Sequence, residues 1–248
     1  MSLAIVLEAI DGLVLAADSR ATAGYTLDGP KTRDTSIKFI QLNSDWGVLT
    51  YGLSKIGHTG LSSLKEEVLK DMNHYISLPN ILKMSKQIFK KVSSDWERKN
   101  SEIGRLDKDV GFILAGYERD DRAFRVFNFQ SPEFTPKSPR NGCLLAGQWH
   151  IAKYLFNRLY TKEMDADRLK DLAAFLLDAT MTVEQTVGGA IHLGTITRSG
   201  GFRWIIDSEL EAIMEKNRAF NKLFQKHFYG ALLAVRNHIQ KETIGEDI

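Results

Sequence analysis

The feature that most constrains the fold is the order in which strand blocks and helix pairs alternate along the chain. Apolar runs predict strands at 3–9, 13–19, 37–43, 46–52, 110–118, 123–129, 142–147, 189–197 and 202–206. Helical spacing of apolar residues predicts two helices between 53 and 100, and further helices near 149–161 and at 166–183. This order predicts an α+β fold in which two stacked antiparallel sheets are flanked by helix pairs.

Short turns between consecutive strands support antiparallel sheets. Asp11-Gly12 separates the first two strands, and Ser199-Gly200-Gly201 separates the last two. The stretch YTLDGPKTRDT, residues 25–35, is polar and contains both glycine and proline. We expect it to be a surface loop, the kind of segment that often carries function.

The chain shows no linker, repeat or low-complexity segment, so we expect one domain over residues 1–206. A helical extension over 207–248 is predicted to pack on the same domain. Ser208 and Glu211 form a capping box that predicts a helix start at about 209. An apolar stripe follows it: Phe220, Leu223, Phe224, His227, Phe228, Ala231, Leu232, Val235 and Ile239. An alternative is that this stripe forms a partner or subunit interface.

Composition excludes several classes of function. The 33 basic residues are balanced by 31 acidic ones, which argues against a nucleic-acid-binding surface. Glu8 and Asp11 interrupt the apolar N-terminal run, and no stretch of eighteen apolar residues predicts a membrane span. A single cysteine, Cys143, fits a reducing compartment, and the six histidines lack metal-ligand spacing. We therefore expect a cytoplasmic protein with no cofactor, no metal, and no nucleic-acid or membrane partner.

Three polar residues stand at the end of an otherwise apolar strand, in the phrase LAADSRATAG at 15–24. Asp18, Ser19 and Arg20 need a structural or catalytic reason there. Residue 2 suggests one, because removal of Met1 would leave Ser2 with a hydroxyl beside a free α-amine. Such an amine can act as the base for its own residue's hydroxyl. Asp18, at the end of the neighbouring hairpin strand, could return beside residue 2.

Four segments carry a resemblance to a known family. GLVLAADSRATAG (12–24) resembles the second strand and following loop of proteasome β subunits, which belong to the N-terminal nucleophile hydrolase superfamily. KFIQLNSDWGVLTYGL (38–53), LLAGQ (144–148) and TVGGAIHLGTITRSGG (186–201) resemble later segments of that family, in the same order. The resemblance identifies the chain as a divergent member with an N-terminal serine and implies a four-layer αββα sandwich.

The resemblance also implies roles for individual residues. Ser2 stands where the family has its N-terminal threonine nucleophile. Asp18 and Lys38 match the aspartate and lysine whose charges lie beside that nucleophile, although Lys31 competes for the lysine position. Gly52 matches the glycine whose backbone N–H forms the oxyanion hole.

Further positions are expected to bind substrate or to support the site. Thr22 and the backbone near Ser54 would pair with an extended peptide as an added antiparallel strand. Thr50 would lie at the floor of the first specificity pocket. Arg20 and Glu184 are candidates for supporting roles around the nucleophile. Ala146 and Val187 replace polar residues of the family, so the hydroxyl network around the amine is expected to be thinner.

These expectations favour a peptidase that cleaves peptide bonds through an N-terminal serine and an acyl-enzyme. Two alternatives stay open: a peptide ligase or transpeptidase that uses the same acyl-enzyme, and a catalytically silent structural subunit. The substrate would be a peptide or unfolded protein. A homo-oligomer is expected from the resemblance, and an unfoldase is a candidate partner.

Overall fold

The structure is a computed structural model that describes residues 2–27, 29–70, 76–100 and 109–245. Within these residues the strands are β1 (Leu3–Glu8), β2 (Gly12–Asp18), β3 (Ala21–Thr26), β4 (Gly29–Arg33), β5 (Phe39–Gln41), β6 (Trp46–Gly52), β7 (Val110–Glu118), β8 (Ala123–Gln130), β9 (Leu144–Gly147), β10 (Ile191–Thr197) and β11 (Gly201–Trp204). The helices are α1 (Ser54–Lys70), α2 (Leu78–Lys99), α3 (His150–Leu159), α4 (Ala166–Met181) and α5 (Asp207–Gly245).

The first sheet has five strands in the order β11-β10-β2-β1-β9, and neighbouring strands are antiparallel. β1 is paired along both edges, and its residues from Leu3 to Leu7 are completely buried. A strand that is covered on both faces needs apolar side chains at every position, which explains the continuous apolar run at the N-terminus.

The second sheet has four strands in the order β5-β6-β7-β8. Its two faces alternate along each strand. The outer face, with Val48, Phe112 and Leu114, packs against α1 and α2. The inner face, with Leu49 and Ile113, packs against the five-stranded sheet.

The helix pairs complete four layers. α1 and α2 pack against each other and on the four-stranded sheet, where the rings of Phe89 and Phe112 stack with centroids 3.8 Å apart. α4 packs on β1, β2 and β10 of the five-stranded sheet, and α3 packs beside α4. The predicted αββα sandwich of two antiparallel sheets is therefore confirmed.

One local prediction is wrong. Most of the stretch at 25–35 is not a loop, because β3 and β4 pair as an additional two-stranded antiparallel sheet. Pro30 lies within β4. A proline lacks the N–H that a central strand needs, but within the described residues β4 pairs with β3 alone, so Pro30 is tolerated in this edge strand.

The chain divides into two compact units, Met1–Ile206 and Asp207–Ile248. The second unit contains α5, a helix of 39 residues that begins two residues before the predicted start at 209. Side chains of the apolar stripe from Phe228 onward lie outside the described residues, so the packing of this extension stays a prediction. Among the described helices, none combines the length and the apolar character that a membrane span requires.

Candidate active site

The N-terminal end of β1 brings Ser2 into the interior of the first unit. Ser2 is only 3% exposed, and its carbonyl oxygen accepts a hydrogen bond from the Gln148 amide at 2.7 Å. Gly147 permits this approach, because a Cβ on Gly147 would lie 1.9 Å from the Ser2 oxygen. The backbone of Gly147 also has a φ of +88°, which favours glycine. Ser2 is therefore held against the end of β9 rather than free in solvent.

Asp18 lies beside this terminus at the end of β2. The register of β1 and β2 brings Asp18 next to Leu3, whose amide donates to Asp18 Oδ1 at 3.0 Å. The amides of Arg20 and Gly188 both donate to Oδ2 at 3.1 Å. Asp18 is completely buried, so these amides replace the water that a carboxylate would otherwise bind.

Lys38 completes a buried ion pair with Asp18. Its Nζ lies 2.9 Å from both carboxylate oxygens and also donates to the Arg20 carbonyl. Burial lowers the pKa of the Lys38 ammonium, while the Asp18 charge opposes that change. Lys31 is exposed in β4, so the structure pairs Lys38 and not Lys31 with Asp18.

Arg20 links two loops around the ion pair. Its Nε and Nη2 donate to the two carboxylate oxygens of Asp34 at 2.7 and 2.8 Å. Its Nη1 donates to the Gln185 carbonyl at 3.1 Å. This side chain therefore fixes the segment before Lys38 against the segment before β10, which is a positioning role.

Ser19 stands out in the sequence together with Asp18 and Arg20, but no site role was predicted for it, and in the structure it joins two segments beside the ion pair. Its hydroxyl donates to the Asp34 carbonyl at 2.9 Å and accepts from the Ala190 amide at 2.7 Å. A Cβ on Gly189 would lie 2.4 Å from that hydroxyl oxygen. The available signal was a serine between two charged residues at the end of a buried strand. The three consecutive residues Asp18, Ser19 and Arg20 thus each connect the end of β2 to two segments, 34–38 and 185–190.

A cleft of about 670 Å³ opens beside Ser2. It is lined by Ser2, Ala21, Thr22, Ala23, Gly24, Tyr51, Gly52, Leu53, Ser54, Asp109, Val110, Asn128, Gln130, Leu144, Leu145, Ala146, Gly147, Gln148 and Trp149. The small sheet β3–β4 and the segment around β9 supply different parts of the lining. The volume is in the range of sites that hold small molecules or part of a peptide.

Gly52 lines this cleft at the end of β6. The Thr50 amide donates to the Lys38 carbonyl, and the Leu53 amide donates to Asp109 on the opposite side. Because successive amides of a strand point to opposite edges, the Gly52 N–H is directed toward the edge on which Lys38 lies. A donor in this position can stabilise an oxyanion in the cleft.

We expect the change of Gly52 to alanine to destabilise the fold by roughly 1–3 kcal/mol. The backbone at Gly52 has a φ of +86°, and a Cβ there would lie 2.1 Å from the Asp109 carbonyl oxygen. Gly200→Ala is the control, since a Cβ there would meet no backbone atom within 4 Å and only the end of the Thr197 side chain, at 2.9 Å, which can shift at lower cost. Urea unfolding of both variants measures the difference, and equal midpoints would show that Gly52 is not constrained as described.

Thr22 and Ser54 also line the cleft. Thr22 Oγ1 is buried and has no hydrogen-bond partner among the described residues. Ser54 is the first residue of α1, and its hydroxyl oxygen lies 3.2 Å from the hydroxyl oxygen of Ser36. Both residues are placed where an extended ligand in the cleft could reach them.

The structure does not bring Thr50 or Glu184 to the lining of the cleft. Thr50 lies opposite Phe112 on the outer face of its sheet, and its hydroxyl donates to the Gly111 carbonyl at 3.0 Å. Glu184 Oε1 accepts from the amide and the hydroxyl of Thr186. Glu184 therefore stabilises the turn that follows α4, and Thr50 packs beneath α1.

No metal centre is found among the described residues, where no group of three or more histidine, cysteine, aspartate or glutamate side chains could hold a metal ion. The Asp18 carboxylate, which could serve as a ligand, is already occupied by Lys38 and by backbone amides. The groups that meet at the site are the Ser2 residue, the Lys38–Asp18 ion pair and backbone N–H donors.

No protein-family model matches the sequence, and no curated protein matches it. Solved structures do match. Anbu, described as an ancestral beta-subunit, from Yersinia bercovieri has a TM-score of 0.71 at 16% identity, covering 92% of this chain and 97% of that chain. A Gly-1 mutant of Anbu from Hyphomicrobium sp. strain MC1 has a TM-score of 0.68 at 16% identity, with the same coverage of 92% and 97%.

These comparisons correct the assignment made from the motifs. That assignment made the chain a divergent proteasome β-subunit-like member of the N-terminal nucleophile hydrolase superfamily with an N-terminal serine. It is wrong as stated, because the matching structures are Anbu proteins and no family model supports membership. The fold of this chain is similar to that of Anbu, a proteasome-like fold.

Proposed function

We propose that this chain is a proteasome-related peptidase that cleaves peptide bonds with Ser2 as its nucleophile. The observation that carries the proposal is the position of Ser2, which lines the cleft while Asp18 binds both the adjacent Leu3 amide and Lys38. The Ser2 residue, the Lys38–Asp18 ion pair and a cleft large enough for part of a peptide therefore lie close together. The likeness in fold to Anbu, an ancestral beta-subunit, supports the same class.

The first step requires that Met1 be removed. Met1 lies outside the described residues, so its removal stays a prediction. The free Ser2 α-amine then takes the proton of the Ser2 hydroxyl, directly or through a water, while Oγ attacks the peptide carbonyl. The protonated amine passes that proton to the leaving peptide nitrogen as the C–N bond breaks, which leaves an ester on Ser2. Water hydrolyses the ester and regenerates the hydroxyl.

Lys38 and Gly52 would supply the electrostatic part of catalysis. Because Asp18 balances the Lys38 charge, the ion pair would act on Ser2 as a fixed dipole, whose ammonium end favours the neutral amine over the ammonium and the alkoxide over the hydroxyl. Because Lys38 Nζ donates to both Asp18 and Arg20, Lys38 would keep its proton and act as a fixed charge rather than transfer the proton. The Gly52 N–H would donate to the oxyanion that forms on the attacked carbonyl.

The peptide would bind as an extended strand beside β3. Thr22 is in β3, which pairs with β4 along one edge, and Ser54 lies across the cleft at the start of α1. Backbone hydrogen bonds of an added strand fix the scissile carbonyl without selecting side chains. A homo-oligomeric assembly, an unfoldase partner and a cytoplasmic location stay predictions from the sequence.

The experiment compares two forms of the same chain that differ only at the terminus. In one form Ser2 is the first residue, and in the other two residues precede it. We expect only the first form to cleave a fluorogenic peptide library, because the extension removes the α-amine that acts as base. Equal activity of both forms would rule out the N-terminal mechanism, and no activity in either form would favour a silent subunit.

The reaction products show whether water or a peptide amine attacks the acyl-enzyme. Cleavage is run with and without a second peptide that carries a free amine, and the products are identified by mass. Hydrolysis products alone are expected for a peptidase. Joined peptides that accumulate in proportion to the added amine would show a ligase or transpeptidase instead.

A further inference from the structure

The inner face of the four-stranded sheet changes from apolar to polar where it reaches the cleft. Along β6 and β7 this face carries Leu49 and Ile113, both completely buried in the core between the sheets. Two residues farther along β6, the same face carries Tyr51, which lines the cleft. Tyr51 and Asn128 are half-buried at this end, whereas Asp109 and Gln130 are exposed, so the polar end of the face lies where a ligand in the cleft can reach it.

The strand register places four polar residues on this end of the face. Tyr51 lies opposite Gly111, and Gly111 lies opposite Gln130. Residues paired across a ladder share a face, as do residues two apart along a strand. Asn128 and Asp109 therefore share the face with Tyr51 and Gln130. The bond from the Leu53 amide to the Asp109 carbonyl extends the ladder to Asp109.

Two of these side chains are fixed to each other. The Tyr51 hydroxyl donates to Asn128 Oδ1 at 2.9 Å. The absence of a side chain at Gly111 makes room for the Tyr51 ring, since a Cβ there would lie 2.1 Å from a ring carbon. Burial and the nearby negative charge of Asp109 both raise the pKa of Tyr51. Asp109 and Tyr51 both line the cleft, and the oxygen of the Tyr51 hydroxyl can still accept a hydrogen bond.

Among the described residues that line the cleft, Asp109 is the one with a formally charged side chain. The nearby Lys38–Asp18 pair is buried and carries no net charge. The lining therefore has a net negative charge at the end formed by Tyr51, Asp109, Asn128 and Gln130, which we call the acidic end. Asp109 itself is exposed, so water and salt screen its charge and we expect a modest effect on a ligand.

We propose that the acidic end of the cleft binds a cationic nitrogen group of the peptide, an ammonium or a guanidinium, with Asp109 as the residue that determines this specificity. The inference rests on the proposed function in that the ligand is a peptide held in the Ser2 cleft. Asp109 neutralises the charge, and the oxygens of Tyr51, Asn128 and Gln130 are available to accept the remaining N–H donors. The group is either a lysine or arginine side chain or the free α-amine of a peptide.

Binding to the full chain with Ser2→Ala tests the inference without turnover. The probes are acetylated, amidated alanine-rich octapeptides that carry lysine, arginine or norleucine at each position in turn. A norleucine peptide with a free N-terminus forms the second arm. Titration calorimetry at low and high salt gives the dissociation constants, and the two arms distinguish a side chain from an α-amine.

We expect the cationic peptide of one arm to bind about three- to fivefold more tightly than its neutral match, and this difference to shrink at high salt. Asp109→Asn should remove the difference, while Asp109→Glu should keep it. Asp120→Asn is the matched control, because Asp120 is exposed just beyond the other end of β7. Melting curves of all variants check that the fold is unchanged.

Equal affinity for cationic and neutral peptides at every position would overturn the inference, as would a preference that survives Asp109→Asn. Both outcomes are separate from failure of the proposed function. That failure would show as absent cleavage by the form that begins at Ser2, whatever the binding preference. A preference for cationic peptides without cleavage would keep the acidic end as a binding site on a silent subunit.

Discussion

Replacement of Ser2 by alanine is expected to reduce peptide cleavage by a factor of about 10³ or more, because it removes the attacking oxygen. The α-amine, Lys38 and the Gly52 N–H all remain in this variant, so binding of peptides should change little. The expected pattern is therefore a large fall in kcat with nearly constant KM. Initial rates over a range of peptide concentrations measure it.

Ser2→Thr is the matched variant for this prediction. Threonine keeps the hydroxyl and adds a methyl group that restricts its rotamers. We expect Ser2→Thr to retain cleavage within about tenfold of the native chain, which corresponds to about 1.4 kcal/mol in the barrier. Substantial cleavage by Ser2→Ala would show that another group attacks the peptide.

Replacement of Asp18 by alanine is expected to destabilise the fold by about 3–5 kcal/mol, because it leaves the buried Lys38 ammonium without its counter-charge. The amides of Leu3, Arg20 and Gly188 would also lose their acceptor. Since these groups hold the end of β1, cleavage should be lost together with stability. Urea unfolding monitored by circular dichroism gives the free energy of unfolding.

The double variant Asp18→Asn with Lys38→Met separates the ion pair from the shape of the site. It removes both charges and keeps an acceptor oxygen for the amides. We expect it to be more stable than the sum of the two single changes predicts, since the pair is coupled. Strict additivity would mean that the two charges do not interact in the folded protein.

The layered fold and the position of Asp18 could be predicted from the sequence for a definite reason. The strands were recognisable from continuous apolar runs, and the Asp11-Gly12 turn fixed the register that returns Asp18 to the start of β1. Lys38 lies directly before β5, but its pairing with Asp18 was expected only from the resemblance to proteasome β subunits, and the sequence left Lys31 as a competitor.

The loops around the ion pair could not be predicted in the same way. Asp34 belongs to a polar stretch whose composition is typical of a solvated loop, yet it binds Arg20 and accepts from Ser19. Such contacts join residues far apart in the chain and leave no periodic signal. The β3–β4 hairpin was missed because glycine and proline usually mark a loop rather than a short edge strand.

The first specificity pocket was expected to have Thr50 at its floor, but the next residue, Tyr51, is the one that lines the cleft. Thr50 and Tyr51 are neighbours in β6, but their side chains point to opposite faces. Thr50 packs under α1, where a Cβ on Gly57 would lie 2.5 Å from its hydroxyl oxygen. Tyr51 instead reaches the cleft, and with it the polar residues of β8 that no local sequence pattern connects to β6.

The central claim is that Ser2 offers both a nucleophilic hydroxyl and a free α-amine. A peptide epoxyketone tests both at once, because it closes a ring with a hydroxyl and the adjacent amine. We expect an intact mass that corresponds to the chain without Met1 plus one reagent, and no adduct on Ser2→Ala. A chain that keeps Met1 and takes up no reagent, or an adduct that persists on Ser2→Ala, would contradict it.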